Sequence, residues 1–599
     1  EVALALSQAD AMTKLLSLGP RPLLTECLQR LDCPKDMLDP PAQDWVVKRI
    51  HLGNEFCERL LPTPSELSLL QQQAQQLELD FCLVTPMLTD AGFKRLDSLL
   101  PLLSEDTEVV INDWGTLQRV RADYPSLVPV LGRMLNKMIK DPRLPSEQWT
   151  QLHPHNSQSA HFRTLLERFG IKHLEMDVPP FARIEHFNTA PMALSVHFPY
   201  GYTVKGRMCR IGSLGQRDEA KFVAAHACNK ECLNYWAKAE WISVGSIESS
   251  LQETGMKITA PLSRLEEIEP LVAAGADEFY CSVVPTDWQQ QFGSSAVSRR
   301  LFGNLANDSD LELAIERVQG LGKQLSLVMN AQHYTSEQLD SLLRLTERFA
   351  HRGGDAVIVG DPVLLDLIAS EGFEFGIHLS SIASCRNIET ALFYQELGAT
   401  RIIFPRDMTL NEIARLRAQS PELEFEAFIL NDGCVFEEGV CHSIHLPRQL
   451  GGAICMDNYA YDYQRMDGAP LAQPELDALA HNDACYQQWL WYRFGCGFSV
   501  TAEGYPYGPC GLCALPRLAA SGVATVKIAG RDAPLARKQK SVQLVKQTLE
   551  QLAIDPDPRR LLDYAQGLRS SQSQCSSGYM CYYPEVLRQG SARVIARAR

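Results

Sequence analysis

Short apolar runs alternate with amphipathic stretches along most of the chain. From Val46 onward, runs rich in β-branched and aromatic residues are separated by stretches whose apolar residues recur every three or four positions. The first pattern is typical of strands and the second of helices. Residues 1–45 are different, because they are weakly patterned and helix-like up to Asp39-Pro40-Pro41. The alternation predicts an α/β fold.

The alternation is clearest in the C-terminal half. Strands are predicted at residues 256–261, 277–280, 325–330, 356–359, 375–379, 401–405 and 424–430. Predicted helices lie between them, including 263–274 and 336–352. A strand–helix alternation repeated about seven times favours a closed parallel barrel of the TIM type over an open sheet.

The two halves also resemble each other. Residues 89–103 and 335–345 share a helical pattern, and a strand-like run follows each, at 109–113 and 356–359. Internal similarity of this kind indicates duplication. We therefore predict two tandem TIM-barrel-like units, with the C-terminal one more complete. The predicted ranges are an N-terminal helical segment at 1–45, units at 46–250 and 255–535, and a helical tail at 536–599.

Composition narrows the class of protein. A length of 599 residues with 45% hydrophobic and 22% charged residues predicts two or three globular domains. The net charge of −15 argues against a large basic face for duplex nucleic acid, although a local basic groove for tRNA stays open. No apolar run reaches the length of a membrane span, and no secretory signal is recognisable. A cytoplasmic protein with reduced thiols is expected.

Cysteines supply the strongest chemical signal. Cys434, Cys441 and Cys455 lie within 22 residues, and a C-x-x-C pair follows at Cys510 and Cys513. Thiolates gathered in this way usually bind a soft metal or an iron–sulfur cluster. The preferred fourth ligand is Cys510 or Cys513, with Cys496 and Cys485 as alternatives. Zinc is the alternative metal, and His442 or His445 could then complete a Cys₃His site.

A second set of cysteines is weaker. Cys57, Cys209, Cys228 and Cys232 could bind a further metal or cluster, but their spacing alone fits inert buried cysteines equally well.

Polar residues at predicted strand ends are candidates for catalysis. His378, Asn330 and Arg406 each lie at or just after a predicted strand end, so a barrel would bring them to one face. An arginine suits a dicarboxylate, because its planar fork pairs with carboxylates in bidentate fashion. The sequence contains no H-E-x-x-H, G-x-S-x-G or Walker A motif, so zincin, serine-hydrolase and P-loop chemistry lack support.

Several of these segments occur together in one known family. Residues 275–280, Phe404-Pro405-Arg406, Cys434-x₆-Cys441, Cys455 and residues 515–531 follow one another in its order. On these residues the C-terminal half resembles the collagenase-like peptidase family, in its UbiU/UbiV-type branch of oxygen-independent hydroxylases. The C-terminal half is similar to the UbiU type. The N-terminal half is similar to the UbiV type through the order of Cys57, Cys209, Cys228 and Cys232.

The resemblance implies a barrel with a 4Fe-4S cluster on four cysteines in each unit, and internal pairing of the two halves. It further implies O₂-independent hydroxylation of a small aromatic or isoprenoid molecule, with a prephenate-like oxygen donor. Related members hydroxylate tRNA or rRNA bases, so an RNA-base hydroxylase is the main alternative. A collagenase-like peptidase and a zinc-stabilised scaffold without catalysis are the others. This chain departs from the family at Ala529, which replaces an acid, and in placing Cys510 and Cys513 directly before the 515–520 helix.

Overall fold

A computed structural model describes most of the chain. The described residues are 2–6, 9–31, 45–141, 143–144, 146, 149–150, 155–182, 187, 192–198, 201–242, 256–293, 296–300, 302–443, 454–456, 458–495 and 499–587.

Two compact units divide these residues. The first comprises residues 1–140, 154–202 and 386–393, and the second comprises 141–153, 203–385 and 394–599. Both contain parallel sheets with helices in the connections, so the predicted α/β class is confirmed.

A sheet of seven parallel strands in chain order forms the centre of the first unit. The strands are β1 (Val2–Leu6), β2 (Val47–Gly53), β3 (Asp80–Val84), β4 (Glu108–Ile111), β5 (Val128–Leu131), β6 (His173–Asp177) and β7 (Ala193–His197). Its helices are Ala9–Leu15, Leu24–Arg30, Pro64–Gln76, Asp90–Leu96, Trp114–Asp123 and Ala160–Arg168. Within the described residues this sheet does not close, so the less complete TIM-barrel-like unit predicted here is not confirmed as a barrel.

The N-terminal segment differs from the prediction. Residues 1–45 were expected to be helical, but β1 pairs in parallel with β2. Leu4 and Leu6 of β1 are buried in the same apolar cluster as Ile50 and Leu52 of β2. Their alternation with more exposed residues has the period of a strand, over too short a run to stand out from the surrounding helical pattern.

A closed barrel of eight parallel strands forms the centre of the second unit. Its strands are β9 (Lys257–Pro261), β10 (Glu278–Cys281), β11 (Gln324–Met329), β12 (Ala356–Val359), β13 (Gly376–Leu379), β14 (Arg401–Ile403), β15 (Glu424–Leu430) and β17 (Thr525–Ile528), and β17 pairs with β9. All seven strands predicted here are confirmed. The eighth, β17, follows a long insertion that carries β16 (Asn458–Arg465), which pairs antiparallel with β8 (Tyr235–Ile242).

Helices connect the barrel strands. They are Ile268–Ala274, Thr286–Phe292, Asp308–Gly320, Ser336–His351, Pro362–Ser370, Ile388–Glu396, Leu410–Gln419, Gln473–Leu490 and Leu515–Ala520. Helix Ser336–His351 shows why they form where predicted. Thr335 caps its first turn by accepting from the Gln338 amide, and leucines at helical spacing with Phe349 make its buried face.

Helices Leu535–Ile554, Pro558–Leu568 and Gln572–Cys575 make up the tail. The first lies beside β9 and helix Ile268–Ala274, where Lys538 Nζ is 2.8 Å from a carboxylate oxygen of Glu267. None of the helices in the described part of the chain is long and apolar enough to cross a membrane.

The unit boundary also differs from the predicted ranges. Residues 203–242 were assigned to the N-terminal half but belong to the second unit. Backbone hydrogen bonds hold them there, since the Glu437 amide donates to the Lys205 carbonyl (2.7 Å) and the His442 amide to the Thr203 carbonyl (2.9 Å). Lys205 Nζ also lies 3.1 Å from Glu437 Oε2. This segment therefore runs along the cysteine-bearing loop after β15.

Candidate active site

A cavity of about 240 Å³ opens at the carboxyl ends of the barrel strands. Residues that follow four of these strands line it: Asn330 after β11, Ser380 after β13, Arg406 after β14 and Arg531 after β17. This face carries the active site in TIM-barrel enzymes, because loops from separate strands converge there. The cavity is therefore the candidate active site.

Two cysteines of the first group line this cavity, and the third is bonded to its wall. Cys434 and Cys455 line it, and Arg299, which also lines it, donates to the carbonyl of Cys441 (3.3 Å). Burial raises the pKa of Cys434 to about 12, with further contributions from Glu438 and Cys441. Burial also raises the pKa of Cys455, helped by the charges of Cys434 and Cys441. Cys434 and Cys455 thus share one cavity wall, and binding of a cluster or metal by the three cysteines stays a prediction.

An apolar cluster supports the cysteine loop from outside the barrel. Val435, next to Cys434, packs with Phe222 and Trp489, and Cys455 packs at the edge of the same cluster. Gly439 lies so close to the loop after β13 that a Cβ on it would be 2.2 Å from the Ile382 carbonyl oxygen. Position 439, between Cys434 and Cys441, therefore has no space for a side chain.

Arg406 and Glu438 form an ion pair in the cavity wall. The Arg406 guanidinium also lies 3.7 Å from the ring centroid of Phe428. Arg406 Nε and Glu438 Oε1 are buried without a hydrogen-bond partner in the described structure. Buried polar atoms are rarely left in that state, so the pair leaves one donor and one acceptor of the cavity wall without a partner.

Cationic side chains predominate around the cavity. Arg299, Arg300, Arg406, Lys527 and Arg531 line it, against the carboxylates of Asp432 and Glu438. Burial lowers the pKa of Lys527, although the neighbouring Glu426 partly opposes this. An excess of fixed positive charge in a partly buried site favours anionic ligands. The site can thus attract phosphate or carboxylate groups despite the net charge of −15 for the whole chain.

Asn330 and His378 occupy different places relative to the cavity. The Asn330 amide donates to Ser380 Oγ (2.9 Å) and accepts from the Arg299 amide (3.0 Å), so it positions two lining residues. His378 lies within β13, is buried, and is not one of the residues that line the cavity. Burial and the charge of Arg401 lower its pKa, so it is neutral at physiological pH. A catalytic role for either stays a prediction.

Cys510 and Cys513 do not join the first cysteine group. They line a separate small cavity with Cys575 and Cys581. Two motifs in the sequence, C-x₂-C and C-x₅-C, could have indicated this pairing, but 61 residues separate them.

Other candidates for the fourth ligand have different positions. Cys485 Sγ is 3.6 Å from His481 Nε2, and His442 is buried beside Cys441. Cys496 and His445 lie outside the described residues. Phe494, two positions before Cys496, lines the cavity.

The second predicted cysteine set is divided between the units. Cys57 belongs to the first unit, whereas Cys209, Cys228 and Cys232 belong to the second. Cys209 and Cys228 both lie close to Gly212, since a Cβ there would be 3.2 Å from Cys209 Sγ and 3.4 Å from Cys228 Cβ. Metal binding by this set stays a prediction.

Sequence analysis missed a polar group in the first unit. Ligand atoms of Glu55, Glu175 and His197 lie within 4.8 Å of one another. Glu175 is on β6 and His197 on β7, while Glu55 follows β2, so no spacing in the sequence signals the group.

Comparison with known proteins identifies relatives of the C-terminal part. Residues 263–590 match the sequence model of Peptidase family U32. Over 185 residues the chain is 31% identical to tRNA hydroxylation protein P of Escherichia coli (strain K12), covering 31% of this chain and 38% of that protein. It is 24% identical over 219 residues to tRNA hydroxylation protein P1 of Bacillus subtilis (strain 168), covering 36% of this chain and 48% of that protein.

Two further matches are more limited. A 23S rRNA 5-hydroxycytidine synthase of Escherichia coli (strain K12) is 29% identical over 109 residues, covering 18% of this chain and 16% of that protein. The solved structure of the U32 peptidase Mk0906 has a TM-score of 0.26 at 17% identity, covering 34% of this chain and 79% of the other. The chain spans less than half the length of each of the three hydroxylation relatives.

Proposed function

Since the chain belongs to peptidase family U32, we propose that it hydroxylates a base of tRNA or rRNA with the help of an iron–sulfur cluster. One observation carries this proposal: Cys434 and Cys455 line a cationic cavity on the carboxyl face of a closed barrel, and Arg299 of its wall donates to the Cys441 carbonyl. The relatives named for hydroxylation of tRNA and rRNA support the substrate class. This replaces the small aromatic molecule as the first expectation.

The cysteines at the cavity suit an iron–sulfur cluster better than zinc. A zinc ion about 2.3 Å from each thiolate holds the sulfurs roughly 3.8 Å apart. In the described part of the chain, the triplets whose ligand atoms all lie within 4.8 Å are Asp218–His481–Cys485 and Glu55–Glu175–His197. The cavity cysteines are therefore spread more widely than one zinc ion requires. A cluster held here would supply electron transfer.

The cavity walls suit a single unstacked base. Proteins bind such bases between aromatic rings and arginine planes, and hold the flanking phosphates with Lys and Arg. Tyr280, Phe428 and Phe494 supply rings at the cavity, and the Arg406 guanidinium lies over the Phe428 ring. The unpaired Arg406 Nε and Glu438 Oε1 would bind the base edge or the carboxylate of a prephenate-like oxygen donor.

Nucleoside analysis of cellular RNA tests the proposal. Total tRNA and rRNA from cells lacking the protein should lose one hydroxylated nucleoside by mass spectrometry, and the wild-type gene should restore it. Cys434→Ser should fail to restore it because a cavity thiolate is lost. Cys281→Ala, which changes a buried barrel cysteine outside the cavity, should restore it. If all hydroxylated nucleosides persist without the protein, the proposal is wrong.

A small aromatic substrate is the second candidate, because a cavity of about 240 Å³ would also hold one free ring. The same cells distinguish the two, since this candidate predicts unchanged RNA and a missing hydroxylated metabolite.

Peptidase activity has less support. Ser380 Oγ accepts from Asn330, and the nearby His378 is not among the lining residues. The described cavity therefore lacks the serine–histidine pair of a hydrolase.

A further inference from the structure

Four cysteines from two distant segments meet beside the barrel. Cys510 and Cys513 precede helix Leu515–Ala520, and Cys575 and Cys581 belong to the tail. The Cys510 amide donates to the Met580 carbonyl (2.9 Å), and the Tyr582 amide donates to the Cys510 carbonyl (2.8 Å). These bonds place Cys510 and Cys581 side by side as a parallel bridge. All four cysteines line one cavity of about 20 Å³.

A buried arginine completes this group. Arg569 lines the same cavity and is 1% exposed. Its hydrogen bonds go to the backbone carbonyls of Pro506, Tyr507 and Ala565, and it forms no ion pair with a carboxylate in the described structure. A buried charge without a counter-charge is strongly unfavourable. The four cysteines are the neighbours that can supply negative charge. A bound metal deprotonates its cysteines, and the resulting thiolates would balance Arg569.

The spacing of the sulfurs favours a cluster over a single zinc ion. As at the active-site cavity, no three of these sulfurs lie within 4.8 Å of one another, and all four residues are described. A single zinc ion would draw them to roughly 3.8 Å. A cubane separates its cysteines further because four iron atoms lie between them.

We propose that Cys510, Cys513, Cys575 and Cys581 bind a second iron–sulfur cluster, distinct from the one at the active-site cavity. The centre joins the tail to the barrel. Two tail residues next to Cys581 donate to the barrel, since the Tyr583 hydroxyl bonds the Phe428 carbonyl (3.0 Å) and Tyr582 bonds the Asn431 carbonyl. Phe428 lines the active-site cavity, so the second cluster supports its wall.

Iron and sulfide analysis of anaerobically purified full-length variants tests the proposal. The double variant Cys434→Ser/Cys441→Ser removes the cavity cluster and should retain about four iron and four sulfide per chain. Adding Cys575→Ser to this background should reduce both to near zero. Circular dichroism checks that each variant is folded. If the triple variant does not fold, the iron and sulfide content of the double variant still tests the proposal.

A matched control addresses the remaining cysteines. Cys228→Ser on the double-variant background should leave the retained iron unchanged. The proposal would be overturned if the double variant contained no iron, or if Cys228→Ser removed the retained iron. Stoichiometric zinc that is lost with Cys575→Ser would also overturn it. Failure of the proposed RNA hydroxylation leaves the iron count unaffected, so the two proposals are tested separately.

Discussion

Glu175 forms buried ion pairs with two histidines in the first unit. His197 Nε2 is 3.0 Å from Glu175 Oε2, and His51 Nδ1 is 3.2 Å from Glu175 Oε1. Burial alone would raise the pKa of Glu175, but the two histidines lower it from 4.5 to about 2. Burial would lower the pKa of His197, yet Glu175 raises it above 6.5. The carboxylate and the imidazolium therefore stabilise each other.

The pH dependence of stability follows from the directions of these two pKa shifts. The stabilisation of the fold by Glu175 is complete above pH 4.5 and is lost as the pH falls towards 2. The stabilisation by His197 is complete below pH 6.5 and is lost as the pH rises through its raised pKa. Glu175→Gln should lower the unfolding free energy by about 3 kcal/mol at pH 6, and by less at pH 9. Urea denaturation at both values measures this. The exposed Glu105→Gln should show no such difference.

Arg406 is the cavity residue that we propose contacts the ligand directly. Arg406→Lys keeps the charge but loses the fork and the plane against Phe428. We expect the hydroxylation rate to fall about 10- to 100-fold, as for loss of one charged hydrogen bond, with unchanged melting temperature. Arg344→Lys, on the exposed face of helix Ser336–His351, should leave the rate unchanged. An Arg406→Lys variant with full activity would remove Arg406 from the site.

At the scale of elements, the loop after β15 depends on its close approach to the loop after β13. A methyl group at Gly439 would meet the Ile382 carbonyl oxygen and Ser384 Oγ, each at 2.2 Å. Gly439→Ala should lower the unfolding free energy of the barrel by about 1–3 kcal/mol and loosen the cysteines. Thermal unfolding followed by circular dichroism measures the first effect, and thiol labelling of Cys434 the second.

Gly320 provides the matched control for that change. It ends helix Asp308–Gly320, where a Cβ would meet nothing within 4 Å. Gly320→Ala should therefore leave stability unchanged or raise it by up to about 1 kcal/mol. Equal effects of the two substitutions would contradict the close approach.

For the whole molecule, net charge and local charge point in opposite directions. The chain has a net charge of −15, yet five cationic residues line the cavity. We expect tRNA binding to weaken as salt rises, and Arg300→Ala to reduce the log–log salt slope by about 0.7–1. Arg348→Ala, on an outer helix, should leave the slope unchanged. Fluorescence anisotropy between low and moderate salt measures both. A slope insensitive to Arg300→Ala would remove that arginine from the RNA contacts.

The sequence predicts much of the barrel and one part of the site. Seven of its eight strands have a local apolar pattern, and their connecting helices have helical periodicity with capping residues such as Thr335. β17 and β1 were missed because one follows a long insertion and the other is a short strand in a helical context.

Local spacing by itself predicted that Cys434, Cys441 and Cys455 would be neighbours, because all three lie within 22 residues of sequence. Only the tertiary structure decided that Cys510 and Cys513 face Cys575 and Cys581, and that Glu55, Glu175 and His197 meet across separate strands. The physical reason is that periodicity reports how one segment is buried. Contacts between distant segments depend on the order in which strands pair and on where the tail helices pack, and neither leaves a pattern within any one segment.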